Sequence, residues 1–137
     1  MKRILVIDGK GGSLGKLIVE KICSLDNKDL DIIAVGTNVI ATQAMLRAGA
    51  SEGATGENPV VYNSSIADII IGPIGIAFGN ALNGEITPAM ALAVTSSLAH
   101  KIFIPINKCN HVIVGLRDDV SLSALLDDVI SELKSVL

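Results

Sequence analysis

Residues 4–18, Ile-Leu-Val-Ile-Asp-Gly-Lys-Gly-Gly-Ser-Leu-Gly-Lys-Leu-Ile, decide the fold. Four apolar residues that end at Asp8 and a glycine cluster have the signature of a short strand buried on both faces. Beyond the glycines, Leu14, Leu17, Ile18, Ile22 and Leu25 recur at helical spacing, with Lys16, Glu20 and Lys21 on the opposite side. Residues 26–29 form a polar turn, and residues 32–35 repeat the buried-strand pattern before Gly36-Thr37-Asn38. This is a βαβ unit, so its two strands are expected to be parallel and its crossover right-handed.

Working outward, a second helix is expected over 39–48, ended by Gly49. Residues 51–58 are expected as a loop and 59–62 as a short strand. A further strand over 68–71 stops at Gly72-Pro73-Ile74-Gly75, and a helix is expected from there to about Leu82. Thr87-Pro88 is a strong helix start, since Thr caps and Pro at the first helical position loses no needed hydrogen bond; that helix should reach Ser97. Residues 101–106 and 111–115 are expected as fifth and sixth strands. Only four residues separate them, too few for a parallel crossover, so they are expected to form an antiparallel hairpin. Leu122, Leu125, Leu126, Val129, Ile130 and Leu133 mark a C-terminal amphipathic helix. The expected architecture is α/β: one Rossmann-like domain over residues 1–137, a three-layer open sheet, mostly parallel, with an antiparallel last strand.

A chain of 137 residues buries roughly two thirds of the surface its unfolded form exposes, enough for a core without disulfide or metal. With a formal charge of -3 and no basic cluster longer than Lys2-Arg3, nucleic acid is not an expected partner. Cys23 and Cys109 match no metal-ligand spacing and are expected as free thiols in a reducing cytoplasm. The N-terminal apolar run is too short for a signal-peptide core. Pro73, Asn80 and Asn83 interrupt the uncharged stretch 69–84, so no membrane span is expected there. The expected location is the cytoplasm.

Gly9, Gly12 and Gly15 spell GxxGxxG between strand and helix. In this setting glycine permits a tight turn, close approach of a pyrophosphate to backbone N–H groups, and close helix–strand packing, while the helix N-terminus favours an anion. This spelling resembles the turn of extended short-chain dehydrogenases and their atypical relatives, over this one unit. Lys10-Gly11-Gly12 with Gly15-Lys16 also resembles the KGGxGK loop of cytoskeletal-type ATPases. The P-loop spacing fails by one residue, however, and Leu17 stands where a magnesium-binding Ser or Thr belongs.

Dinucleotide sites usually place an acid at the end of the second strand to hold the adenosine ribose. Here Gly36-Thr37-Asn38 offers none; Thr37 and Asn38 can donate to a ribose hydroxyl or a 2′-phosphate, so NADP fits as well as NAD, and a shorter ligand also fits. A carboxylate beside a pyrophosphate is unfavourable, which makes Asp8 the odd residue. It can bind a metal, accept N–H groups of the loop or act as a nucleophile; capping the turn is the expected role. Gly72, Pro73 and Gly75 and, after the fifth strand, Asn107 are expected at the same carboxyl edge. The loop holding Thr55, Glu57 and Asn58 precedes its expected strand and so belongs to the opposite edge unless it folds back.

Cys109, beside Lys108 and His111, is expected as a turn residue; a lowered thiol pKa is the competing reading. His100 and His111 have no acid at triad-like spacing, and a Tyr-x-x-x-Lys, HExxH or paired-carboxylate arrangement is missing.

Across nearly its whole length the chain resembles an uncharacterised family of small bacterial proteins known only as a domain of unknown function. The resemblance is carried by Val6-Ile7-Asp8-Gly9 with Gly11-Gly12, Gly36-Thr37-Asn38, Ala44-Met45-Leu46, residues 53–58, residues 70–75, Gly84-Glu85-Ile86-Thr87-Pro88 and residues 105–110. It implies a compact Rossmann-like module and no reaction.

The expected function is binding of a nucleotide or other phosphate-bearing metabolite, NAD or NADP in type, by Asp8, Gly9, Gly11, Gly12, Ser13, Leu14, Gly36, Thr37, Asn38, Gly72, Pro73, Gly75 and Asn107. No catalytic residue or metal ligand is assigned. The alternatives are a non-catalytic sensor or interaction module that keeps the fold and, below it, a P-loop-like NTPase. Ala89, Ala91, Leu92, Ala93 and Val94 make the helix after Pro88 apolar around most of its circumference, from which a homodimer is expected.

Overall fold

The computed structural model describes residues 1–106 and 110–137. In chain order its elements are β1 (Lys2–Asp8), α1 (Ser13–Cys23), β2 (Leu30–Gly36), α2 (Val39–Ala48), β3 (Glu52–Thr55), α3 (Glu57–Ile66), β4 (Ile69–Pro73), a 3-10 turn (Ile74–Ala77), α4 (Pro88–Ser96), β5 (His100–Ile104) and α5 (Leu122–Ser135). The strands form one sheet in the order β3-β2-β1-β4-β5, every pair parallel. A single row crosses it: Gly53, Ala34, Val6, Ile71 and Ile102 lie side by side.

Strand alternation builds the two cores. Ile4 and Val6 face one layer with Ile18 and Ile22 of α1, Met45 of α2 and Leu126, Val129 and Leu133 of α5. Leu5 and Ile7 face the other, with Val60 of α3 and Met90, Ala91 and Val94 of α4. The four apolar side chains of residues 4–7 have no solvent exposure, and burying each stabilises the fold by roughly 1.5–3 kcal/mol. β1 therefore anchors both layers, and its last residue, Asp8, reaches the carboxyl edge of the sheet.

Three expectations change. The last strand is not antiparallel: residues 111–115 form no strand, Val112 and Val114 lie in solvent, and β5 is an edge paired in parallel with β4. A β-branched run alone does not supply a pairing partner, and here a turn from Leu116 N–H to Ile113 O takes its place. Next, residues 52–55 are the strand and residues 57–66 the helix, so the expected strand over 59–62 lies inside α3. Pro59 is tolerated because it sits in the first helical turn, whose N–H groups have no intrahelical acceptor. Finally, the helix expected after Gly75 is a short 3-10 turn followed by irregular chain in which Asn80, Leu82, Asn83 and Gly84 all have left-handed φ (68°, 55°, 57° and 87°).

The other helices form where expected. Asn38, Thr87 and Ser121 cap α2, α4 and α5, each accepting a backbone N–H on its side-chain oxygen. No helix among the described residues is long and apolar enough to cross a membrane.

Candidate functional site

The chain leaves β1 toward β2 and β3 on one side and returns to β4 and β5 on the other, so the strand order reverses between β1 and β4. The crevice beyond the carboxyl ends at such a reversal is where open α/β sheets take ligands. Two segments meet there, the β1–α1 turn and the irregular chain after β4.

The turn closes with a hydrogen bond from Gly12 N–H to Gly9 O (2.9 Å), with left-handed φ at Lys10 (49°) and Gly12 (75°). The first α1 bond runs from Lys16 N–H to Gly12 O. The N–H groups of Ser13 and Leu14 precede it and have no intrahelical acceptor. That of Gly15 is taken by Asp8, whose Oδ2 accepts it at 2.6 Å while Oδ1 accepts Gly9 N–H at 2.8 Å. Gly12, the N-cap residue, has no side chain to cap with; Asp8 does this from the end of β1. Burial pushes the Asp8 carboxyl above its ordinary pKa, the two N–H bonds oppose that, and the nearby Glu85 charge adds to it. Asp8, Gly9, Lys10, Gly11, Gly12, Ser13, Leu14 and Leu82 line a cleft of about 120 Å³.

The glycines of the turn have different reasons to be there. A Cβ on Gly12 would sit 2.6 Å from Ala41 Cα, and one on Gly15 2.6 Å from Met45 Sδ, so these two let α1 pack on α2. A Cβ on Gly9 would come within 2.6 Å of Thr37 Oγ1. At Gly11 nothing lies within 4 Å. Gly11 is the glycine of the turn that packing leaves unexplained, and it borders the cleft.

Glu85, from the segment between β4 and α4, lies against this turn. Its Oε1 accepts from Thr37 Oγ1 (2.5 Å), Asn38 Nδ2 (2.8 Å) and Lys10 N–H (2.9 Å), and Asn38 Nδ2 also donates to Lys10 O at 2.9 Å. One oxygen thus ties together the ends of β1 and β2. Partial burial works against ionisation of Glu85, but the bonds from Thr37, Lys10 N–H and Asn38, helped by the Lys10 charge, hold its carboxyl below the ordinary pKa. The foot of the segment is tied too: Thr87 Oγ1 caps α4 and donates to Glu57 Oε1 at 2.5 Å.

A folded-state pKa below the unfolded one contributes stability at neutral pH that disappears as pH falls through the folded value. Glu85→Gln should therefore cost on the order of 1 kcal/mol at neutral pH, as for charge-assisted bonds in a partly solvated site. That cost should fade in acid, where the wild type is protonated as well. Thermal melts of both proteins across the acid range check this; a cost independent of pH would show that the charge is not involved.

Of the residues expected at the site, Asp8, Gly9, Gly11, Gly12, Ser13 and Leu14 line the cleft together. Thr37 and Asn38 join them through Glu85. Gly36 is buried behind, where a Cβ would collide with Thr42. Gly72, Pro73 and Gly75 are buried at the end of β4 and do not line the cleft. Asn107 and Cys109 lie outside the described residues. His111 stacks on Phe78 with ring centroids 3.9 Å apart. Among the described residues no group of three or more His, Cys, Asp or Glu could hold a metal ion. Because β3 is parallel to β2, Glu57 and Asn58 follow its carboxyl end and lie at the ligand edge, not the opposite one.

The five parallel strands in the order 3-2-1-4-5, with a glycine turn between the first strand and first helix, define a Rossmann-like α/β protein. Residues 3–137 match the family described as Domain of unknown function (DUF3842), and the chain belongs to it. No curated protein matches the sequence.

Proposed function

We propose that the protein binds a phosphate-bearing small molecule, a nucleotide of the NAD(P) kind, with a phosphate on the N–H groups of Ser13 and Leu14. The observation that carries this reading is Gly11: a glycine with no neighbour to require it, beside a cleft lined by Ser13 and Leu14, the residues whose helix N-terminal N–H groups have no intrahelical acceptor. The cleft of about 120 Å³ is smaller than the roughly 300–1,000 Å³ that encloses a whole drug-sized ligand. It takes the phosphate, and the remainder of the ligand lies along the mouth beside Thr37, Asn38 and Glu85.

A thermal-shift series with NAD, NADP, ATP and orthophosphate tests this. A bound nucleotide at a hundred times its dissociation constant should add about 2.7 kcal/mol of stability. Gly11→Val should melt close to the wild type without ligand, since its side chain enters open space, and should lose the ligand-induced shift. If neither nucleotide nor phosphate shifts the wild type, or if Gly11→Val responds like it, the reading fails.

Leu92 on α4 and Leu98 beyond it lie in solvent while Met90, Ala91 and Val94 are core. These two exposed leucines support the homodimer expected from the sequence. Sedimentation should give a mass approaching two chains as concentration rises; a monomer mass at every concentration sinks it.

A further inference from the structure

We infer that Glu85 is the specificity-determining carboxylate of this site, accepting a ribose hydroxyl on its free oxygen and rejecting a ribose that carries a 2′-phosphate. The inference rests on the nucleotide reading above and adds which nucleotide the site takes.

An acid that reads the adenosine ribose ordinarily stands at the end of the second strand. In this chain the end of β2 supplies donors instead, Thr37 Oγ1 and Asn38 Nδ2, and both converge on the carboxylate of Glu85. The acid is present at the end of β2, delivered by the segment that precedes α4. Its placement is strict. Oε1 accepts three donors from two different turns, and it lies 3.0 Å from where a Gly9 Cβ would be, against the glycine turn itself.

The two oxygens are used unequally. Oε1 accepts all three bonds, whereas Oε2 accepts none from the described residues. A carboxylate immobilised through one oxygen offers the other as a pre-oriented acceptor, which suits a hydroxyl and repels a phosphate dianion.

The segment that presents Glu85 carries backbone strain. Leu82 is buried with φ of 55°, between Asn80 at 68° and Asn83 at 57°. Left-handed φ is costly for a leucine, and such outliers persist where the surroundings over-determine them. Leu82 lines the cleft, and its Cδ1 lies 3.0 Å from the Gly9 Cβ position. The strained residue and the carboxylate therefore flank the same glycine from one segment.

The experiment measures, by calorimetry, dissociation constants of NAD, NADP and orthophosphate for the wild type, Glu85→Gln and Glu85→Ala. The wild type should bind NAD at least about tenfold more tightly than NADP, the scale of one hydrogen bond to a charged group. Glu85→Gln should bring the two within about threefold of each other, and both variants should bind orthophosphate no more weakly than the wild type. Circular dichroism melts confirm that the variants fold. If the wild type binds both nucleotides equally, or Glu85→Gln leaves their ratio unchanged, the inference is overturned while the nucleotide reading stands. If the variants bind both nucleotides more tightly by the same factor, Glu85 is an obstruction and the inference is likewise overturned. If no nucleotide binds the wild type, both fall.

Discussion

Gly12→Val should lower the melting temperature by roughly 10 °C in the absence of any ligand, the counterpart of a loss of about 3 kcal/mol in a domain of this size. Two costs combine. Gly12 has φ of 75°, where a β-branched residue is strained by roughly 1–3 kcal/mol. Its Cβ would also stand 2.6 Å from Ala41 Cα and 3.1 Å from Ala41 O, backbone atoms of α2 that cannot rotate away. α1 and α2 would have to separate, opening the core layer that holds Ile18 and Met45. Thermal melts of Gly12→Val and Gly11→Val decide the matter, because the two neighbours are expected to differ sharply. Equal melting temperatures would refute the packing role of Gly12. It follows that loss of ligand in a Gly12 variant says nothing about phosphate binding.

Asp8→Ala should destabilise the protein by about 2 kcal/mol, measured as a lower urea midpoint with an unchanged slope. The substitution leaves the N–H groups of Gly9 and Gly15 without the acceptors they have at 2.8 and 2.6 Å, in a place where Asp8 is only 5% exposed. An unsatisfied buried N–H costs about 1–3 kcal/mol. Removing a desolvated charge offsets part of that, since burial raises the Asp8 pKa. A raised folded-state pKa means that ionised Asp8 weighs against folding above that value, and the wild type recovers this loss as pH falls through it. Asp8→Asn keeps one acceptor oxygen and should lose less than Asp8→Ala. A neutral Asp8→Ala would show that the α1 terminus does not depend on this cap.

The parallel α/β core was legible because β1, β2 and β4 are central strands, and strands covered on both sides are continuous apolar runs such as residues 4–7 and 69–71. β3 escaped because it is an edge strand of Glu-Gly-Ala-Thr, with no apolar run to betray it. α3 escaped because only Val60 and Ser64 are buried along it, so its sequence lacks a clear amphipathic period and Val60-Val61-Tyr62 mimics a strand. The hydrophobic run Val112 to Val114 misled in the other direction; Val112 and Val114 are exposed, and the run forms no strand with the described residues.

At the site, local order was readable and long-range partners were not. The strand–turn–helix context placed Asp8 to Leu14 together, and the capping role expected of Asp8 agrees with its bonds to Gly9 and Gly15. Glu85 was passed over as a site residue because it stands 48 positions from Thr37 and 75 from Lys10. The one available signal was negative: Gly36-Thr37-Asn38 lacks an acid yet carries two donors, which have to meet an acceptor from elsewhere. Gly72, Pro73 and Gly75 were placed at the correct edge, but all three are buried, Gly75 within the 3-10 turn itself.

In the proposed complex a ligand phosphate sits on the N–H groups of Ser13 and Leu14. The most direct measurement is a titration of ¹⁵N-labelled protein with NAD, followed by amide proton–nitrogen correlation spectra. The amides of Gly11, Ser13 and Leu14 should move in a saturable way, those of Lys10 and Asn38 with them, and in Gly11→Val the Lys10, Ser13, Leu14 and Asn38 resonances should stay in place. Saturable shifts confined to other parts of the sheet, or unmoved Ser13 and Leu14 amides at millimolar NAD and orthophosphate, would contradict it.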